Sequence, residues 1–172
     1  MKRKIWLLVF TMVFLVNLAL PALTAAQTPE QLFDEAMSAY RAGNYTLAYD
    51  FFIKAAEQGL ADAQLHLGIM YADGKGVVQN YEQAVYWYRR ATEQGSAGAP
   101  FILALMYVDG RGVEQSYEQA AHWFRRSAEQ GHVRAHLNLG FMYATGRGVT
   151  QNYEQAVYWY HRYRRAAEQR FE

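Results

Sequence analysis

An all-α array of helix-turn-helix units is the fold class this sequence predicts, on three observations. Residues recur at a spacing of 36, as in Gly59, Gly95 and Gly131, in Tyr71, Tyr107 and Tyr143, and in Trp87, Trp123 and Trp159. Within each unit the apolar residues fall at helical spacing. Glycine pairs and capping residues then divide the last three units at the same places. A self-similarity of about 20 to 50 residues marks a solenoid, in which each unit buries its apolar face against its neighbours.

Taken in order, Lys2, Arg3 and Lys4 precede an apolar run from Ile5 to Leu20, and Pro21 ends that run before Thr24-Ala25-Ala26 and the polar Gln27. This is the layout of a signal peptide, so residues 1–26 are expected to direct export and to be cleaved after Ala26. Pro21 breaks the helix of the apolar run and leaves an extended segment for the peptidase. The alternative is an uncleaved anchor, because the run approaches the roughly 20 residues that span a bilayer. No cysteine follows the run, which excludes a lipoprotein anchor. The membrane is then met only through this segment, if it stays uncleaved, and residues 27–172 form the repeat domain.

The first unit, about 28–59, makes a short turn at Ala42-Gly43-Asn44-Tyr45 and acts as the N-terminal cap. In the second, 60–95, Ala63, Leu67, Gly68 and Tyr71 form the buried stripe of a first helix, and Gly74-Lys75-Gly76-Val77 breaks it. Asn80 then caps a second helix, with Gln83 placed to complete a capping box. Ala84, Trp87, Tyr88 and Ala91 supply its buried face, and Gly95 ends it in a left-handed conformation. The third unit, 96–131, repeats the plan with Ser116 as cap, Ala104 where Gly68 stood, and Pro100 in a first turn whose amides lack helix partners anyway. The fourth, 132–170, is capped by Asn152 and carries three extra residues around His161-Arg162-Tyr163. Arg170 stands where the terminating glycine would be, so the last helix is expected to run longer and end the array.

About half of the 172 residues are apolar, enough for one compact domain. Without Lys2, Arg3 and Lys4, 14 basic residues face 16 acidic ones, which leaves no electrostatic footprint for a nucleic acid. The chain has no cysteine, so disulfides, thiol nucleophiles and thiolate metal sites are excluded. An exported chain without cysteine points to a bacterial periplasm or exterior.

The runs Leu67-Gly68-Ile69-Met70-Tyr71, Gly74-Lys75-Gly76-Val77, Ala84-Val85-Tyr86-Trp87-Tyr88 and Glu93-Gln94-Gly95 resemble the Sel-one-like repeat (SLR) family, a relative of the tetratricopeptide repeats. The resemblance covers nearly all of the chain after residue 26. It implies a right-handed α-solenoid of four helix-turn-helix repeats, one tetratricopeptide-like cap and three SLR units, that acts as an adaptor, often in bacterial signalling, secretion or envelope assembly. In the tetratricopeptide relatives a concave groove is lined by the fifth and ninth residues of each first helix. Carried over, these are Phe33 and Met37, Leu65 and Ile69, Phe101 and Leu105, and Leu137 and Phe141, all apolar. Such a column suits a peptide or an amphipathic helix. The alternative, that it packs within the array itself, stays open.

Other chemistry finds less support. His66, His122, His132, His136 and His161 share no repeated ligand position, and His132 and His136, four apart, lack the glutamate and the third ligand of a zinc protease. They read as incidental surface histidines. The Gly-Lys-Gly and Gly-Arg-Gly loops follow helices and lack a Lys-Ser/Thr ending, so they are inter-helix turns, not phosphate loops. Lys75, Arg111 and Arg147 could form a basic row along one edge. Arg89, Arg125 and Arg164 each stand four residues before a glutamate, as surface ion pairs do. Asn44 matches a glycosylation acceptor but aligns with the capping residues.

The expectation is therefore an exported helical-repeat adaptor for a protein or peptide partner, not an enzyme, with no cofactor and no metal. Two alternatives remain. One is a secreted hydrolase of cell-wall or lactam substrates, proposed for cysteine-rich members of the resembled family. The other is an exported effector or an immunity-type inhibitor.

Overall fold

The computed structural model describes residues 27–169. The expected signal segment, residues 1–26, and Arg170 lie outside the described residues. Among the described residues eight helices follow one another: α1 (Pro29–Arg41), α2 (Tyr45–Glu57), α3 (Ala61–Asp73), α4 (Tyr81–Glu93), α5 (Ala99–Asp109), α6 (Tyr117–Glu129), α7 (Val133–Thr145) and α8 (Tyr153–Glu168). No strand occurs among the described residues. The helices pack as pairs, α1 with α2, α3 with α4, α5 with α6 and α7 with α8, and each pair joins the next through α2–α3, α4–α5 and α6–α7. This is an all-α helical repeat solenoid.

The second helix of every unit starts on a side chain that accepts from the amide three residues on: Asn44 from Leu47, Asn80 from Gln83, Ser116 from Gln119 and Asn152 from Gln155. Each satisfies an amide that the first turn leaves without a partner. The returning glutamine bond of a capping box is made instead at α1, between Thr28 and Gln31. Helix α8 runs for 16 residues where α4 and α6 run for 13, which places the three extra residues inside the helix.

Within a pair, the closest approach is between a small residue on the first helix and a ring on the second. A Cβ on Gly68 would overlap the Tyr88 ring, and one on Gly140 would overlap Tyr160. In the same register stand Ala36 with Phe52 and Ala104 with Phe124, all buried. Glycine accompanies the larger tyrosine and alanine the smaller phenylalanine, which keeps the filled volume nearly constant. Burial pushes the Tyr88 phenol well above its usual pKa. Trp87 and Trp159 are buried as their spacing predicts, but Trp123 is only partly so, with the Arg126 guanidinium 5.7 Å from its ring centre.

Between pairs, the glycine loop closes onto the preceding unit. Gly74, Gly110 and Gly146 end their helices in the left-handed conformation. The second glycines, Gly76, Gly112 and Gly148, lie so close to the carbonyl oxygens of Tyr45, Tyr81 and Tyr117 that any Cβ would collide with them. Each of those tyrosines opens the second helix of the previous unit. The loop is tied back by Gln79, Gln115 and Gln151, whose amides donate to the carbonyls of Ala72, Val108 and Ala144 at 2.7, 2.7 and 2.8 Å.

Candidate partner-binding groove

The eight apolar positions form two rows on the first helices, Phe33–Leu65–Phe101–Leu137 and Met37–Ile69–Leu105–Phe141. The four-residue shorter turn of the first unit brings Phe33 and Met37 into register with the rest. The structure divides the column. Phe33 and Met37 pack on the core of the first two units, Leu65 and Ile69 on the central core, and Phe101 on the core of the last two. Rings from the following unit close over two of them. The His66 ring meets Phe33 edge-on at 5.4 Å, and His132 stacks on Phe101 at 4.2 Å. Leu105, Leu137 and Phe141 are left exposed. The open part of the column thus lies on α5 and α7, and a cleft of about 640 Å³ between the starts of α5 and α7 and the end of α8 adjoins it, lined by Phe101, His132, Arg134 and Gln169.

The basic row proves to be part of the inter-unit contact. Lys75 lies 5.4 and 5.8 Å from the Tyr40 and Tyr45 ring centres, Arg111 lies 5.8 Å from Tyr81, and Arg147 lies 4.4 Å from Tyr117. Lys75 also donates to the Tyr40 hydroxyl at 3.0 Å and pairs with Asp73, which together raise its pKa above the usual lysine value. These cations lie on aromatic faces of the previous unit and stay exposed, with 38% of the Lys75 and 58% of the Arg111 side chain accessible, so the row is at once a basic edge and an inter-unit contact.

Two further expectations are corrected. Arg89 and Arg125 do not act through Glu93 and Glu129. They reach across to the next unit and donate to the hydroxyls of Tyr107 and Tyr143 at 2.6 and 2.5 Å. Only the Arg164–Glu168 pair forms as expected, at 3.8 Å between exposed side chains. At the first junction a Tyr49–Tyr71 hydroxyl pair 3.0 Å apart takes the place of the arginine bond, and that bond, with partial burial, pushes Tyr49 up to about 12. A tyrosine recurring 18 residues after an arginine was the signal for these bridges, visible in the sequence only once the junctions are considered.

His136 is the second correction, since it is buried rather than on the surface. Its ring tilts against Trp159 at 5.7 Å, while His132 faces Phe101, so the two do not converge on a common ligand position. Burial, and then the nearby Arg162 guanidinium, hold the His136 pKa below its usual value. Among the described residues no three His, Asp or Glu side chains gather as a metal site would require. No helix among them is long and apolar enough to cross a membrane.

The Sel1 repeat family model matches four segments, residues 38–60, 61–96, 99–132 and 133–162. Among solved structures, c5321, a protective antigen present in uropathogenic Escherichia coli strains displaying an SLR fold, is 38% identical with a TM-score of 0.75 over 82% of this chain and 30% of its own. A Sel1 repeat protein from Oxalobacter formigenes is 35% identical, with a TM-score of 0.76 over 90% of this chain and 63% of its own. The chain therefore spans less than two thirds of either relative. Helicobacter pylori cysteine rich protein B is 22% identical with a TM-score of 0.56 over 72% of this chain and 88% of its own, a likeness of fold alone. No curated protein matches the chain. Sel1-repeat proteins are in general protein–protein interaction adaptors and typically non-catalytic scaffolds. Repeated glycine loops closing on the preceding unit, and a family model that takes in well over half of the residues, lead to one conclusion: the chain belongs to the Sel1-repeat family.

Proposed function

We propose that this protein is an exported adaptor of the bacterial envelope, serving signalling, assembly or secretion, that holds a protein segment against Leu105, Leu137 and Phe141. The observation that carries this reading is the exposure of those three side chains in a column whose other members are half-buried. Apolar residues at i and i+4 on α7, with Leu105 in the same repeat register as Phe141, suit the apolar face of an amphipathic helix. Export is supported by the basic and apolar N-terminal sequence and, by analogy, by the protective-antigen character of the Escherichia coli relative.

Leu137→Ser with Phe141→Ser tests the site. The doubly substituted protein should melt like the wild type and lose at least roughly ten-fold in affinity for a partner recovered from envelope extracts, since apolar anchors dominate such contacts. Unchanged affinity would move the site elsewhere. Export is tested by sequencing the N-terminus of protein recovered from the periplasm, where a start at Gln27 is expected. Protein kept inside the cell with residues 1–26 attached would overturn it.

A further inference from the structure

The ten residues Gln79–Tyr88 and Gln151–Tyr160 are identical, so α4 and α8 begin with the same sequence in two surroundings. Ala84 and Trp87, like Ala156 and Trp159, are buried in both, and Tyr88 and Tyr160 each lie against the glycine of their own first helix. The opposite face differs. Val85 is 5% exposed and the outer edge of the Tyr88 ring is closed too, both clustering with Leu103 and Met106 of α5, whereas Val157 is 54% exposed and Tyr160 37%. Tyr81 meets the glycine and the arginine of the next loop, while its counterpart Tyr153 is exposed.

We propose that this face of α8 is built as an inter-unit interface, and that it receives the first helix and Gly-cation-Gly loop of a further Sel1-type unit. Continuity with the three junctions inside the chain sets the chemistry of the occupant. At each of them the arriving helix presents a small residue, then Leu four and Met seven positions on, as in Ala99, Leu103 and Met106, all nearly or fully buried. The loop that follows sets a cation over the waiting tyrosine ring and a glycine against its carbonyl.

The units among the described residues do not supply that further unit. All three such stripes are already buried inside the array. In α1 the matching positions are Gln31, Glu35 and Ser38, exposed and polar, and the turn after α1 has no Gly-cation-Gly. The chain also leaves α8 differently from α4 and α6. It runs three residues further before its capping Gln169, the counterpart of Gln94 and Gln130.

The inference does not use the Leu105–Leu137–Phe141 column, and its failure leaves that reading untouched. The test attaches residues 132–150, a first helix with its loop, to the C-terminus of the full chain through a flexible Gly/Ser linker of about twenty residues. The tether holds the segment at about millimolar effective concentration, so weak affinity cannot hide binding. Amide hydrogen exchange over residues 153–160 should slow by roughly ten-fold or more. The slowing should vanish when Val157→Asp is made in the host helix, or when Leu139→Glu and Met142→Glu are made in the tethered segment alone. No slowing, or slowing that survives Val157→Asp, overturns the proposal. So does sedimentation showing that the untethered chain dimerises and that Val157→Asp dissociates it, since a second copy would then own the face.

Discussion

Helices α1 and α8 stand at the two ends of the array, and each has a face that no neighbouring helix covers. On α1 that face carries Gln31, Asp34, Glu35 and Ser38, and Gln27 donates to Glu35 at 2.7 Å. On α8 it carries Tyr153 and Val157, with the outer edge of the Tyr160 ring. The inner faces are alike, with Ala36 and Phe52 packed at one end and Gly140 and Tyr160 at the other. Capping in this protein is therefore decided by a few outward positions and leaves the helix pairing unchanged. One end is solvated, while the other keeps the chemistry of an interior junction.

The sharpest way to break this comparison is to make one substitution at both copies of the shared ten-residue segment. Val85→Asp buries a carboxylate among Leu103, Met106 and Tyr88 with no partner and should cost at least about 3 kcal/mol in urea unfolding. Val157→Asp places the same group in water and should change stability by no more than about 0.5 kcal/mol. Equal costs would mean that α8 is covered in the free protein.

A second pair compares the N-terminal turn with an interior loop. Gly112 has φ +69 and sits against the Tyr81 carbonyl, whereas Gly43 has φ +80 with open space where a side chain would go. Gly43→Ala should cost about 1 kcal/mol, for the left-handed backbone alone. Gly112→Ala adds the collision and should cost roughly 2 to 3 kcal/mol in the same measurement. A smaller loss at Gly112 than at Gly43 would show that the loop yields more easily than its packing indicates.

The elements and their caps were legible because each is settled within about a turn of chain. Asn44, Asn80, Ser116 and Asn152 act on amides three residues away, and the glycines act on their own backbone. What escaped crosses from unit to unit. Repetition marks Arg89 and Arg125 as important but does not say whether the partner is Glu93, one turn on, or Tyr107 in the next unit. Repetition likewise marks Lys75, Arg111 and Arg147 as a row but not the rings of the previous unit beneath them. The groove was half legible: all eight positions are apolar, but the covering of Phe33 and Phe101 comes from His66 and His132, which occupy different places in their units. That difference breaks the period on which the expectation rested.

The smallest expected effect concerns one position that also differs between the two sides of the array. Gln64 on α3 is buried and donates to the Ala56 carbonyl at 3.0 Å, and the residue in its place on α7 is His136, buried against Trp159. Neither ring nitrogen of His136 makes a well-formed hydrogen bond. Because burial and Arg162 hold its folded pKa below the ordinary 6.5, the unfolded chain takes up a proton first as pH falls. The stability tied to neutral His136 is thus intact above about 6.5 and drains away below it, until the folded state is protonated as well. Gln at this position does not titrate, and by analogy with Gln64 it can donate to the Ala128 carbonyl, a bond worth about 1 kcal/mol. His136→Gln should therefore leave stability at pH 7.5 within about 1 kcal/mol of the wild type and lose less than the wild type does between pH 7.5 and 5, read from urea midpoints at the two values. Parallel losses would assign the acid sensitivity to other groups and leave His136 as packing alone.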